Sequence, residues 1–260
     1  MTVDDQTGLV DEIVSVPRTR KQFLAGAAAA AAAVGLTPTL AGAAPLERIV
    51  RKGTMAESPQ TIINIAATAE TAAVTALYHV HEAVNRGKLN VSGIAVPTNV
   101  LVSIVRAALR EEQDHLTFLM GAGAKPLYTS FTFPSGIFRH AVQTLEFFET
   151  AETVFIAAYM TANREFASGH MTALAQYTYQ IGGVESEHRA LMRAGLGQLP
   201  PNNKSFETNL YSKVSGAAAA LQGLGIFTPH LKYPGARAVD HILSTSGDHQ
   251  RTAGVIQHKP

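Results

Sequence analysis

The chain has no cysteine, which excludes thiolate catalysis, disulfide stapling and cysteine-ligated zinc or iron–sulfur centres. Any metal would have to be held by Glu, Asp, His or backbone oxygen. Excess charge is missing too: 21 Lys and Arg stand against 20 Asp and Glu, for a formal net charge of +1. Beyond Arg18, Arg20 and Lys21 there is no basic run, so nothing recommends a nucleic-acid partner. Long hydrophobic runs are absent as well. The stretch from Phe23 to Leu36 covers 14 residues where a membrane-spanning helix needs about 20, so no stable span is expected unless this segment is retained as a tether. The 260 residues suffice to bury a sizeable core, read here as one domain with extensions.

What is present begins with that same segment. Arg20, Lys21, Gln22, Phe23 and Leu24 lead into an alanine-rich run, and Ala41, Gly42 and Ala43 supply a small-x-small cleavage pattern. The arrangement resembles a bacterial twin-arginine export signal, with Arg20–Lys21 standing where that signal has two arginines. The resemblance implies export to the periplasm or the exterior. Residues 1–43 are therefore read as an address, 44–58 as a linker, 59–197 as the main domain and 198–260 as a C-terminal extension.

Residues 59–197 carry four helical patterns. Apolar side chains recur at alternating spacings of four and three from about Ser58 to Arg86, from Pro97 to Gly121, from Ser135 as N-cap to Phe166, and from His170 to Gly195. The expected fold class is all-α, a four-helix bundle. The third and fourth helices are joined by a few residues and should be antiparallel, while the longer Lys125–Pro134 segment is just able to run the length of the bundle as a crossover. The extension shows one further helical pattern, Phe206, Leu210, Val214, Ala217 and Leu221, and then irregular, glycine- and proline-rich sequence wrapping the bundle, loosely held from about Ser246.

The polar residues on those stripes carry the chemistry. Glu112 and His115 occupy successive places on the second stripe, Glu185 and His188 on the fourth. Glu70 sits alone on the first and Glu152 on the third, with Glu149 as rival one turn away. A single Glu-x-x-His is cheap by chance, but charged groups do not enter a core unpaired. Both hairpins bring their glutamates to the same depth, and Thr68–Thr71 (TAET) repeats at Thr150–Thr153. Four carboxylates and two divalent cations make a neutral site, and an oxygen-rich donor set with two imidazoles suits iron or manganese. Without metal, the carboxylates would need protons or arginine partners, for which Arg106 and Arg189 are candidates. Glu111, Asp114 and Glu187 read as solvated neighbours or supports of the ligands, and His79 and His81 as bundle-end or surface groups. Gly182 and Gly183 are read most simply as close helix packing, with room for an oxidant as the other use.

These motifs resemble the ferritin-like di-iron carboxylate superfamily, and within it exported proteins related to desiccation-associated proteins. The resemblance covers about residues 59–197. It implies two Fe or Mn ions, Glu112 and Glu185 bridging both, Glu70, Glu152, His115 and His188 each capping one, and Tyr159 hydrogen-bonding a ligand. It further implies dioxygen or peroxide as partners, an oxidase- or peroxidase-like activity in stress protection, and a monomer or small homo-oligomer. The alternative on the same fold is a metal-free or redox-silent structural, stress-protective module.

Overall fold

The computed structural model describes residues 55–223 and 225–245. The export signal, most of the linker and the tail from Ser246 fall outside the described residues. Four long helices form the core: α1 (Pro59–Asn85), α2 (Thr98–Gly121), α3 (Ala141–Ser168) and α4 (Thr172–Gly195). Ser58 starts α1 by accepting the Thr61 amide at 3.1 Å, with Pro59 at the first helical position, where a missing N–H costs nothing. Among the described residues, no helix is long and apolar enough to cross a membrane.

Hydrogen bonds at the helix ends settle the topology. At one end the Ala95 amide, just before α2, reaches the Gly195 carbonyl closing α4 at 2.7 Å. There too Asn90, just after α1, exchanges 2.8 Å bonds with Arg139 and Ala141 at the start of α3. At the opposite end, Asn64 in α1 holds the Lys125 amide after α2 at 2.7 Å, and Glu165, late in α3, accepts the Ala56 amide before α1. Helices α2 and α3 therefore run in the same direction and 122–140 is a full-length crossover, as the sequence leads one to expect. The closest packing is within the hairpins, α1 on α2 and α3 on α4.

The crossover is tied down by its own side chains and by the extension. Thr68 accepts the Leu127 amide at 2.8 Å. Ser130–Phe131 (β1) then pairs antiparallel with Leu231–Lys232 (β2), Phe131 is fully buried, and Tyr128 stacks on Phe227 at 4.9 Å. One expectation fails in this region. Helix α3 begins at Ala141 and not at Ser135: residues 134–140 make a tight turn, with the Ile137 amide on the Pro134 carbonyl at 3.1 Å and the His140 amide on Gly136 at 2.9 Å. Buried Ile137 pins this turn, and Thr144 donates to its carbonyl at 2.6 Å, so Phe138 lies before the helix.

The extension also departs from its reading as one helix followed by irregular chain. Its first helix, α5 (Val214–Gly223), starts eight residues past Phe206, which is 90% exposed. The start is set from a distance: the Glu57 carboxylate accepts the Val214 amide at 2.6 Å and the Ser215 amide at 3.2 Å, an anion on a helix N-terminus. A second helix, α6 (Ala236–Thr245), packs on α2 through buried Val239, Ile242 and Leu243. That i, i+3, i+4 spacing is present in the sequence directly after Pro234 and Gly235.

Candidate metal centre

Each of the four long helices delivers polar side chains to one depth of the core. Glu70 from α1, Glu112 from α2 and Glu185 from α4 are 0% exposed, and Glu152 from α3 is 2% exposed. With the two imidazoles they form two overlapping groups: Glu70, Glu112, His115 and Glu185 in one, Glu112, Glu152, Glu185 and His188 in the other, each with ligand atoms within 4.8 Å of one another. The structure thus brings together all six residues singled out from sequence.

Glu112 and Glu185 divide their oxygens between the two groups. Toward His115 Nδ1 they turn Glu112 Oε2 at 3.6 Å and Glu185 Oε1 at 3.4 Å, with Glu70 Oε2 at 3.6 Å. Toward His188 Nδ1 they turn Glu112 Oε1 at 3.2 Å and Glu185 Oε2 at 3.1 Å, with Glu152 Oε1 at 3.6 Å. Buried atoms lacking a hydrogen-bond partner concentrate here: Glu70 Oε2, both Glu112 oxygens, Glu152 Oε2, Glu185 Oε1 and His115 Nδ1. Orphaned carboxylate oxygens in an apolar core are costly. Two divalent cations, one per group, would satisfy them, so the donor set fits the metals its chemistry suggests.

Around the cluster, further side chains hold the ligands in place. Tyr159 on α3 donates its phenol to Glu70 Oε1, leaving Glu70 Oε2 turned toward the imidazole. His188 Nε2 meets Glu111 Oε2 at 2.8 Å, a carboxylate behind an imidazole that orients its other nitrogen into the site. The matching place before Glu185 is Val184, which offers no acceptor, so the two halves are chemically unequal. Glu111 is half turned to solvent, and its neighbour Glu112 drew the sequence argument because only Glu112 lies on the apolar stripe.

The competing readings resolve against named partners. Glu149 takes Arg193 Nη1 at 2.7 Å and Gln198 at 3.4 Å, outside the cluster. Arg189 does not neutralise the carboxylates; it makes a two-pronged pair with Glu207 of the extension, at 2.9 and 2.5 Å. Arg106 places its charge near His81, which burial and then that charge hold below the ordinary imidazole range. His81 is buried beside Asn85, the last residue of α1, which fits the bundle-end reading and removes the surface one, while His79 packs edge-on against Phe138.

Without a cation, the cluster must balance its charge with protons. Burial and then the charge of Glu112 push the Glu70 carboxyl from 4.5 up to about 8. Burial and the charge of Glu185 likewise raise Glu152 well above the carboxylate range. Burial and Glu185 act upward on Glu112 as well, but the proton-bearing groups turned toward it, Glu70, His115 and His188, outweigh them and hold it low. For His115 and His188, burial alone would lower the imidazoles; the surrounding carboxylates win and raise both well above the ordinary range. Glu70, Glu152, His115 and His188 are thus the four groups whose protons two divalent cations would displace.

With the geometry described, comparison with known proteins adds one result. A family model described as a ferritin-like domain matches residues 58–198, more than half of the 260 residues. Neither the curated proteins nor the solved structures contain a match.

Proposed function

This chain belongs to the ferritin-like domain family, and on that premise we propose that it holds two iron or manganese ions and uses them on dioxygen or peroxide. The observation that carries the reading is the sharing of Glu112 and Glu185, each with one oxygen toward each imidazole. Glu70 and His115 would complete one site, Glu152 and His188 the other. Paired ions of this kind supply Lewis acidity and electrons for reducing dioxygen or peroxide. The chain's own contribution is positional. Glu111 keeps the His188 Nε2 proton engaged so that Nδ1 faces inward, Tyr159 keeps Glu70 Oε2 free by occupying Oε1, and the four helices exclude bulk water from the carboxylates.

The direct test is the metal content of protein purified without chelator, followed by anaerobic addition of Fe(II) and then air. About two ions per chain and an oxygen-dependent near-ultraviolet band are expected, as for oxygen-rich paired sites. If both native and reconstituted protein stay empty, the proposal fails. Binding without the band would leave a redox-silent site. A metal-free module is the second reading, favoured by the raised proton affinity of Glu70, Glu152, His115 and His188, which lets protons offset part of the buried charge.

The setting we propose is outside the cytoplasm, in stress protection such as desiccation, on the resemblance of residues 20–43 to an export signal. N-terminal sequencing of periplasmic or secreted protein should then begin at Ala44. A chain still starting at Met1 would count against cleavage after Ala43.

A further inference from the structure

Where α1, α3 and the extension's α5 meet, the described residues leave a cavity of about 30 Å³. Close-packed interiors hold few voids larger than a water molecule, and about 10–15 Å³ is enough for one water. The cause is side-chain size. Ala66 and Ala69 on α1, Ala158 and Ala162 on α3, and Ala217 and Ala218 on α5 bring only methyl groups to the place where three helices converge. Buried Ile62, Leu119, Phe155 and Leu221 close other sides. A second void of about 20 Å³ shares Phe155 and Leu221 with the first and continues along α1 and α3.

The walls choose an occupant by polarity and by size. They expose only apolar atoms: the two hydroxyl-bearing residues among them turn their polar ends elsewhere, Thr178 to the Leu174 and Ala175 carbonyls, both at 3.0 Å, and Tyr159 to Glu70. A buried water needs roughly two to four polar partners, and hydrogen peroxide, with two donors and two acceptors, needs no fewer. Neither finds them here. Apolar cavities stay dry and take apolar guests such as xenon, and benzene needs about 150 Å³. The space fits a small apolar gas and excludes a ring.

The cavity also lies beside the cluster. Ala66 is four residues before Glu70, Leu119 four after His115 and Phe155 three after Glu152, in each case about one helical turn, or roughly 5–6 Å along the axis. Because α1 runs against α2 and α3, all three offsets point to the same side of the ligands. Tyr159 borders the cavity and donates to Glu70, which places one side chain between the cavity and the Glu70 and His115 group. We propose that this cavity binds dioxygen and holds it beside that group. Binding of the gas stands whether or not metal fills the cluster; its use there rests on the metal reading, which it commits to dioxygen over peroxide.

Dioxygen itself is the probe, because its paramagnetism speeds the relaxation of nuclei that it touches. Methyl NMR of metal-free full-length protein under dioxygen pressure should show excess relaxation at buried Ile62, Leu119 and Leu221, beyond that at exposed Leu199, and xenon should shift the same buried signals. Ala218→Leu, on a helix that supplies no ligand, should fill the cavity and abolish both effects while retaining helix content and metal uptake. If it does not fold, Ala218→Val serves. In Fe(II)-loaded protein the filled variant should develop the near-ultraviolet band several-fold more slowly with dissolved dioxygen and at an unchanged rate with peroxide. No excess relaxation at the buried methyls, effects that persist in the filled variant, or a dioxygen rate that does not fall relative to the peroxide rate would overturn the proposal. An empty cluster in the metal assay, with the methyl effects intact, would refute the metal reading alone.

Discussion

Replacing Glu112 or Glu185 with alanine is expected to take the chain from about two bound ions to nearly none, whereas any other ligand variant should lose only one. The reason is geometric. Glu112 and Glu185 belong to both groups of ligand atoms, while Glu70 and His115 belong to one and Glu152 and His188 to the other. Glu70→Ala or His115→Ala should therefore spare the ion near His188, and Glu152→Ala or His188→Ala the ion near His115. Glu111→Gln should weaken only the His188 ion, by about 10- to 100-fold, the usual effect of losing a partner behind a ligand imidazole. Glu149→Gln, in contact with Arg193, should keep both ions. Elemental analysis of the purified variants, with Mn(II) or Zn(II) titrations, reads the pattern. Equal losses in all six ligand variants would mean general unfolding or a single shared site, and would sink the two-site assignment.

The second large effect is with pH. Glu70, Glu152, His115 and His188 all hold protons more tightly in the folded metal-free chain than they ordinarily would. For a group whose folded value is raised, the stabilisation is complete below the unfolded value and is lost as pH rises through the folded one. For Glu70 that window runs from 4.5 to about 8. Glu112, held low, acts in the opposite sense, but its window lies below 4.5 and so outside this range. The metal-free protein should thus lose stability as pH climbs from about 5 to 8. Metal binding has the reverse slope, because each ion must displace protons: about two per ion if four protons give way to two cations, hence an affinity rising about 100-fold per pH unit. Melting curves with and without Mn(II) at several pH values test both. The gap between them should widen with pH, and calorimetry in buffers of different ionisation enthalpy should show proton release. A gap that does not change with pH would show that the protons assigned to the cluster are not there.

Much of this was legible in the chain because burial leaves a periodic trace. A carboxylate on an apolar stripe is costly enough to require a partner, so Glu70, Glu112, Glu152 and Glu185 could be singled out at helical spacing, together with His115 and His188. The connection lengths likewise allowed the crossover, since the short link between α3 and α4 admits only antiparallel neighbours and the longer segment after α2 is just able to span the bundle. The Ser135 start of α3 was not recoverable, because a capping residue states what a helix would accept and not whether a buried Ile137 and an Asn90 partner hold the chain in a turn instead. The same holds for α5, whose first residue is set by Glu57, 157 positions away in sequence.

By itself, then, the sequence determined the helical class, admitted the crossover topology and narrowed the polar residues of the core to six with Glu149 as rival to Glu152, all of which follow from local periodicity and chain length. Tertiary structure alone decided which oxygen of Glu112 and Glu185 faces which imidazole, that Glu149 and Arg189 belong to other partners, and that Glu111 supports His188. Each of those is a relation between residues from different helices. Such relations are set by how helix faces meet, and a stripe of spacings along one helix carries no record of what lies across from it.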